Sequence, residues 1–438
     1  MDNYLSKSQH AYRSKRSTTE AVWTMQYTKA TIQTYKERYL INSIDLSKAF
    51  DCIDRKKLIE IFEKEKIADE DELRILSYLL SNTKLRVRIG NVIGRTFSTT
   101  IGTPQGDALS PVLFLVYMES ILREYRETCT PSKLDLEVSY ADDVNFVMHD
   151  NFAPESNKNI PTHETDGSNA ICMCVYCKQK HLENTLPEIT DKYNMQMNHN
   201  KTEKHLLTYN EAKKTNYKIL GNYIRRENEI KNRKQKAQTA FNAMNKIWLN
   251  KKNISIKTKV RLYNALVLPH ILYNAATSTY RGVQKDQINS FHRKQLRRLI
   301  GVYFPKHISN KKLYEKTGTR PITIDITKQR WQLFGHICRL DADVPANAIM
   351  TQYYKLRFQG DTWIRKAHQG GKKNLTLPRI LDDDIKNLPI EHRRNTMRLT
   401  EFKNGSHLKT LRDLAQDRNA WKKVVHNMAN SEKERWEE

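Results

Sequence analysis

The sequence predicts an α+β fold, and three observations predict it. Short apolar–polar alternations mark strands, longer stretches with helical spacing separate them, and the two do not follow a repeating βαβ order. The order is strand, helix, hairpin, helix, hairpin, followed by a long helical half beyond Arg225. No sequence repeat or long low-complexity tract is found in the 438 residues, so solenoid architectures drop out.

Each element has its own signal. The first 38 residues are basic and polar, and ERYLINSID then reads as a strand running into Asp45. In RKKLIEIFEKEKI, Leu58, Ile59, Ile61, Phe62 and Ile67 recur at helical spacing. KLRVRIGNVIGRTFSTTIG alternates around Gly90-Asn91, the pattern of a hairpin. Ser110-Pro111 opens the apolar run VLFLVYMESIL, with Ser110 as N-cap and Pro111 at the first helical position. LDLEVSY, ADD and VNFVM read as strand, turn and returning strand. A stretch rich in Asn, Pro and Ser from about 149 to 171 marks a surface insertion, expected to span about 149–185, and Leu182, Leu186 and Ile189 mark a helix bent at Pro187. YKILGNYI is a strand pair bending near Gly221. After it, Phe241, Met244, Ile247 and Trp248 are spaced as the core face of a helix.

Composition narrows the function classes. The chain is 38% hydrophobic and 28% charged, and no run approaches the roughly 18 apolar residues of a membrane span. Its opening residues lack the apolar core of a secretory signal, so the expectation is an intracellular protein of nucleus and cytoplasm. Lys and Arg number 75 against 49 acids, a net charge of +26, and a polyanion is the leading partner. The excess is concentrated: residues 225 to 262 hold 12 Lys/Arg and two acids.

The chemistry begins at VSYADDVNFV, where Asp142 and Asp143 stand side by side in a tight turn. Asp is a common turn residue, which is one reading of the pair; a bound cation is the other. A divalent metal needs two or three carboxylates from different parts of the chain, and Asp45, ending its strand, is the available third. Capping of the following helix is the competing role for Asp45.

Five blocks in order decide between these readings: DLSKAFD from Asp45, GTPQGDALSP from Gly102, YADD from Tyr140, NHNKTEK from Asn198 and YKILG from Tyr217. Together they resemble the palm motifs of reverse transcriptases. QHAYRSKRSTTEA (9 to 21) is similar to the fingers motif of the non-LTR, LINE-type group. FHRKQLRRLIG, RWQLFGHICRL and LAQDRNAWKKVV resemble that group's thumb and C-terminal tail. A group II intron-type enzyme fits the tail less well. The region preceding the fingers motif is not found, which implies truncated fingers.

The resemblance implies a right-hand architecture: partial fingers over 1–38, a palm over 39–224 with a fingers segment at 59–101, a helical thumb over 225–300 and a helical tail over 301–438. It implies that Asp45, Asp142 and Asp143 hold two Mg²⁺ ions, and that Lys201 assists proton transfer to pyrophosphate. Phe50 would exclude a 2′-hydroxyl. Gln105, Gly106 and Arg13 would contact nucleotide, and Leu220 and Gly221 would form the primer grip. The partners implied are an RNA template, a DNA primer or target and dNTPs, and the reaction is RNA-directed DNA synthesis. A catalytically inactive, nucleic-acid-binding remnant is the competing class, against which all three acids, Phe50 and Gln105 are intact. Outside these motifs, Cys172, Cys174, Cys177 and His181 offer ligands for Zn²⁺, with simple reduced thiols as the alternative.

Overall fold

The computed structural model describes residues 1–104, 106–129, 135–150, 174–210, 217–249, 251–358, 375–389 and 405–437. The chain divides into two compact units, Met1–Ala21 with Lys36–Glu211, and Val22–Tyr35 with Ala212–Glu438.

The first unit is built on a four-stranded antiparallel sheet. Its strands are β1 (Tyr39–Ile44), β2 (Leu46–Ser47), the two-residue ribbons β3 to β6 (Lys84–Leu85, Arg88–Ile89, Val92–Ile93, Phe97–Ser98), β7 (Leu136–Tyr140), β8 (Asp143–His149), β9 (Gln196–Met197) and β10 (Glu203–Leu207). The main sheet runs β10-β1-β8-β7. Helices α2 (Arg55–Lys64), α3 (Glu70–Ser81), α4 (Ser110–Glu127) and α5 (Val175–Lys192) belong to the same unit. Leu58 and Phe62 of α2, Phe114 and Ile121 of α4, and Leu182 and Ile189 of α5 form one apolar core with Val144, Phe146 and Met148 of β8. Because side chains alternate across a strand, Val144, Phe146 and Met148 face that core while Asp143 and Asn145 face the other way.

Two sequence expectations change here. Ser110 is not an N-cap: the helix begins after Leu109, and the Ser110 hydroxyl donates to the Pro104 carbonyl at 2.7 Å, tying α4 to the preceding GTPQG turn. The insertion does not extend to about 185. From Val175 the chain is a helix whose Val175, Leu182, Leu186 and Ile189 are buried, and β8 stays in the sheet to His149. That helix continues through Pro187 to Lys192. Residues 151–173 lie outside the described residues.

The second unit contains the hairpin β11 (Lys218–Ile219) and β12 (Asn222–Tyr223), and its other regular elements among the described residues are helical. Its helices among the described residues are most of α1 (Thr18–Tyr35), α6 (Arg226–Met244), α7 (Ile256–Leu266), α8 (Leu268–Leu272), α9 (Val283–Leu299), α10 (Asn310–Thr317), α11 (Ile322–Arg339), α12 (Pro345–Phe358), α13 (Leu377–Lys386), α14 (Gly405–Gln416) and α15 (Arg418–Glu437). Composition places a boundary at 225, but the hairpin before it is bound to this unit. Arg233 donates to Asn222 Oδ1, and the Tyr273 hydroxyl donates to the Leu220 carbonyl at 3.1 Å. Phe241 is buried and Met244 packs on the same core, yet Ile247 and Trp248 are exposed. The reason is local: residues 245–249 form a π-turn, whose wider winding rotates the next side chains off the buried face.

Helices α11 and α15 meet through a glycine. A Cβ on Gly335 would lie 2.0 Å from Trp421 Nε1, so only a bare backbone lets the indole this close. Trp421 Nε1 donates to the Trp331 carbonyl at 2.9 Å, which fixes the ring at the crossing. The four-residue periodicity of each helix then sets Ile324, Lys328 and Gln332 on one wall of a groove, and Arg418, Lys422 and Val425 on the other.

Candidate active site

The sheet register gathers the acids. In β1 and β8, Ile44 pairs with Val144, so one further step sets Asp45 opposite Asp143. In β1 and β10, Ser43 pairs with Glu203, and two further steps set Asp45 beside Lys201. Lys201 Nζ stands 3.6 Å from Asp45 Oδ2, and the Asn198 N–H donates to the Asp45 carbonyl at 2.8 Å. NHNKTEK is thus held against DLSKAFD at one end of the sheet.

The YADD turn is tighter than its sequence suggests. Tyr140 pairs directly with Asp143, leaving Ala141 and Asp142 as a two-residue loop, and Asp143 already belongs to β8. Ala141 has φ +56°, and positive φ at the first loop residue is the pattern of a type II′ turn, where glycine is usual. Such a conformation costs an alanine about 1–3 kcal/mol and persists only where neighbours hold it. Gln9 holds it. Its Oε1 accepts from the Ala141 N–H at 3.0 Å, and its Nε2 donates to the Ala141 carbonyl at 3.4 Å. Gln9 is buried, and flanking backbone bonds from His10 N–H to Ser139 O (2.9 Å) and Ser139 N–H to Ser8 O (3.1 Å) fix its segment beside β7. Sequence reasoning passed over Gln9, although it sits in the QHAYRSKRST block.

Electrostatically the site is unbalanced. Burial pushes the Asp142 carboxyl above the usual carboxylate range, the nearby Asp45 raises it further, and a backbone hydrogen bond and Lys201 act the other way. Asp143 is raised first by burial, then by Asp142 and Asp45, against a hydrogen bond from Asn145 Nδ2 to Asp143 Oδ1 at 3.0 Å. Asn145 is itself oriented by the Ser43 hydroxyl, which donates to its Oδ1 at 2.7 Å. Asp45 Oδ2 is buried without a hydrogen-bond partner. Three carboxylates and an unsatisfied oxygen are the donor set of a hard divalent cation. They are not drawn into a closed cage: among the described residues no group of three His, Cys, Asp or Glu could hold a metal ion as they stand. Closure therefore requires the carboxylates to turn inward.

Phe50 lies five residues beyond Asp45 in a 3-10 turn (Ala49–Asp51) and stacks on Phe114 with ring centroids 4.2 Å apart. Its carbonyl accepts from the Thr103 N–H at 3.0 Å, and Arg55 donates to the Gly102 carbonyl at 2.7 Å. Gly102 is obligatory: its φ is +73°, and a Cβ would meet the Asp51 carbonyl oxygen at 2.7 Å. The aromatic and the GTPQG loop are therefore built as one piece. Gly106, at φ +93°, faces open space, leaving its backbone approachable. Gln105 lies outside the described residues.

Other expected residues are placed differently. Arg13 does not present its guanidinium to a nucleotide in this structure. Its Nε pairs with Asp2 at 2.7 Å and its other nitrogens donate to the carbonyls of Ser6, Gln9 and Asp2, so its donors are spent on the N-terminal segment. Leu220 and Gly221, both at positive φ, are the two loop residues of the β11–β12 hairpin, a type I′ pattern, in the second unit. The expected zinc ligands do not converge among the described residues. Cys174 Sγ caps α5 by accepting from the Cys177 N–H, and His181 bonds through its ring to Thr128 and Thr185. Cys172 lies outside the described residues.

Residues 1–224 match the family model of the reverse transcriptase (RNA-dependent DNA polymerase). The chain is 31% identical over 84 residues to the retrovirus-related Pol polyprotein from type-1 retrotransposable element R2 of Nasonia vitripennis, a match covering 19% of this chain and 8% of that relative. Among solved structures, telomerase from Candida albicans, in complex with a telomeric RNA fragment, aligns at 11% identity over 84% of this chain and 53% of its own, with a TM-score of 0.39. Apo telomerase from Candida tropicalis aligns at 11% identity over 82% and 57%, with a TM-score of 0.37. The chain spans less than a tenth of the curated relative and just over half of the telomerase chains. With the family model covering more than half of its length, the chain belongs to the reverse transcriptase family.

Proposed function

We propose that the chain copies RNA into DNA, extending a primer 3′-hydroxyl with dNTPs and releasing pyrophosphate, as the polymerase of a retrotransposon working in nucleus and cytoplasm. One observation carries the reading: three carboxylates converge at a sheet end where, among the described residues, the exposed Lys201 is the one cation against them. In it, Asp45, Asp142 and Asp143 would hold two Mg²⁺ ions, which when bound would lower the pKa of the attacking hydroxyl and neutralise charge on the leaving pyrophosphate.

The remaining steps fall to the protein's own groups. The Ala141–Asp142 turn, clamped by Gln9, sets the direction of the Asp142 carboxylate. Lys201, relieved of Asp45 once that acid is otherwise engaged, delivers a proton to the departing pyrophosphate. Phe50, backed by Phe114, presents a flat wall beneath the sugar that leaves no room for a 2′-hydroxyl. Gln105 and the open backbone at Gly106 meet nucleotide and template. The Leu220–Gly221 turn grips the primer, and the basic run between residues 225 and 262 holds template–primer phosphates without reading sequence.

Primer extension on an RNA template tests the reading, with wild type beside Asp142→Ala. Extension that depends on Asp142 is expected. Binding of template–primer without extension by either protein would leave a nucleic-acid-binding remnant instead.

A further inference from the structure

The groove between α11 and α15 takes no part in the polymerase reading. It has a volume of about 630 Å³ and a floor of Ile324, Trp421, Val425 and Ala429. Six cations line it, Arg320, Lys328, Arg339, Arg418, Lys422 and Lys433, and no acid does. Arg320 is paired with Asp325, which lies beside the groove. Lys328, Arg418 and Lys422 are exposed and have no carboxylate partner among the described residues. Arg339 donates to the Ala415 carbonyl at 2.9 Å and has no carboxylate partner among the described residues. Burial lowers its pKa, and the charge of Arg418 lowers it further, the mark of two cations placed close together.

A solvated charge face is convex and disperses its charges; this one is concave and concentrates them. Two elements set the arrangement. Gly335 admits Trp421 against the α11 backbone, and the flanking four-residue stripes then face each other across the gap. Along α15 the lining runs from Arg418 to Lys433, a row of about 22 Å at 1.5 Å per residue. A row of that length matches a chain of phosphates rather than one anion. The groove volume is that of a small-molecule pocket, enough for one strand and too little for a duplex. Gln332 and Asn430 add donors and acceptors of the kind a 2′-hydroxyl uses.

We propose that this groove binds the sugar–phosphate backbone of single-stranded RNA, as a second nucleic-acid site separate from the aspartate site. It goes beyond the polymerase reading and rests on it only in taking RNA as the ligand.

The test is fluorescence anisotropy of the full chain with a labelled 12-nucleotide single-stranded RNA, after saturation with unlabelled template–primer duplex to fill the polymerase site. Lys328→Glu, Arg418→Glu and Lys422→Glu are combined in one variant. The control reverses an equal number of exposed charges on α10 (Lys311→Glu, Lys312→Glu and Lys316→Glu). The groove variant is expected to bind at least tenfold more weakly, with a salt-dependence slope about 2 units shallower, as the loss of three phosphate contacts by a single strand implies. The control is expected to change less than threefold, and extension of a short template–primer is expected to stay as in wild type. Equal weakening by both variants would reduce the groove to a share of the general positive field, and no weakening would remove it. An equal loss of binding to single-stranded DNA would overturn the assignment to RNA. Asp142→Asn tells the two readings apart, since it should abolish extension while leaving RNA retention by the groove intact.

Discussion

The acids at the sheet end and the acids inside the helical unit are the same chemical groups in opposite circumstances. Asp384 is buried with its Oδ2 accepting from Arg330 at 2.9 Å and from the Trp331 indole at 3.1 Å. Glu229 is buried with its Oε1 accepting from Arg233 Nε at 2.9 Å and the Ser278 hydroxyl at 2.7 Å. Each is met by a cation and a second donor, so that Asp384 ties α13 to α11 and Glu229 ties α6 to the segment at Ser278. Asp142 and Asp143 instead raise one another's energy, and Asp45 keeps a buried oxygen with no hydrogen bond. An imbalance of this kind is what a cation from outside would correct, which is why the proposed function rests on the uncompensated acids rather than on the paired ones.

Breaking each set should therefore give opposite outcomes. Asp142→Asn should cut primer extension by roughly three orders of magnitude or more, about 4 kcal/mol of barrier, while circular dichroism shows a fold at least as stable. Asp384→Ala should do the reverse. Leaving Arg330 buried and unpaired costs about 3–5 kcal/mol, visible in denaturant unfolding, with the rate per folded molecule unchanged. Next in size is Gly335→Ala, where a methyl group against Trp421 should cost about 1–3 kcal/mol in the same measurement, with extension by the folded fraction kept.

The smallest effect sharpens the contrast through pH. Asp142 and Asp143 have folded-state pKa values above their ordinary ones, so between those values the folded chain holds more protons than the unfolded chain. In the absence of divalent cations, stability should fall as pH rises from the ordinary carboxylate range through the raised values. Asp143→Asn should flatten that slope and Mg²⁺ should offset it; thermal melts at stepped pH check both. A slope unaffected by Asp143→Asn would remove the imbalance on which the comparison stands.

Much of the site was legible because its carriers are local: DLSKAFD, YADD and NHNKTEK each end or join a strand, and one sheet register brings them together. What escaped was long-range or lacked a period. Helix α1 (Thr18–Tyr35) is almost wholly buried on every side, including Thr24, Thr28 and Thr31, so it shows no amphipathic stripe. Thr28 and Thr31 satisfy their hydroxyls on carbonyls one turn back. The left-handed Ala141 carries no residue-type signal. Ile247 and Trp248 fit a helical period until the π-turn breaks it. Arg13 read as a nucleotide contact because a sequence does not show that its donors are already taken.

The clamp on that turn also sets a schedule for the newborn chain. Gln9 and Ala141 lie 132 residues apart, so at synthesis rates of about 5–20 residues per second the clamp waits roughly 7–26 s for its turn to be made. During that interval the opening segment has no sheet edge to join, and its Ser8, Gln9 and His10 must stay available. The geometry of the aspartates is thus completed by an earlier-made segment closing over one made 132 residues later.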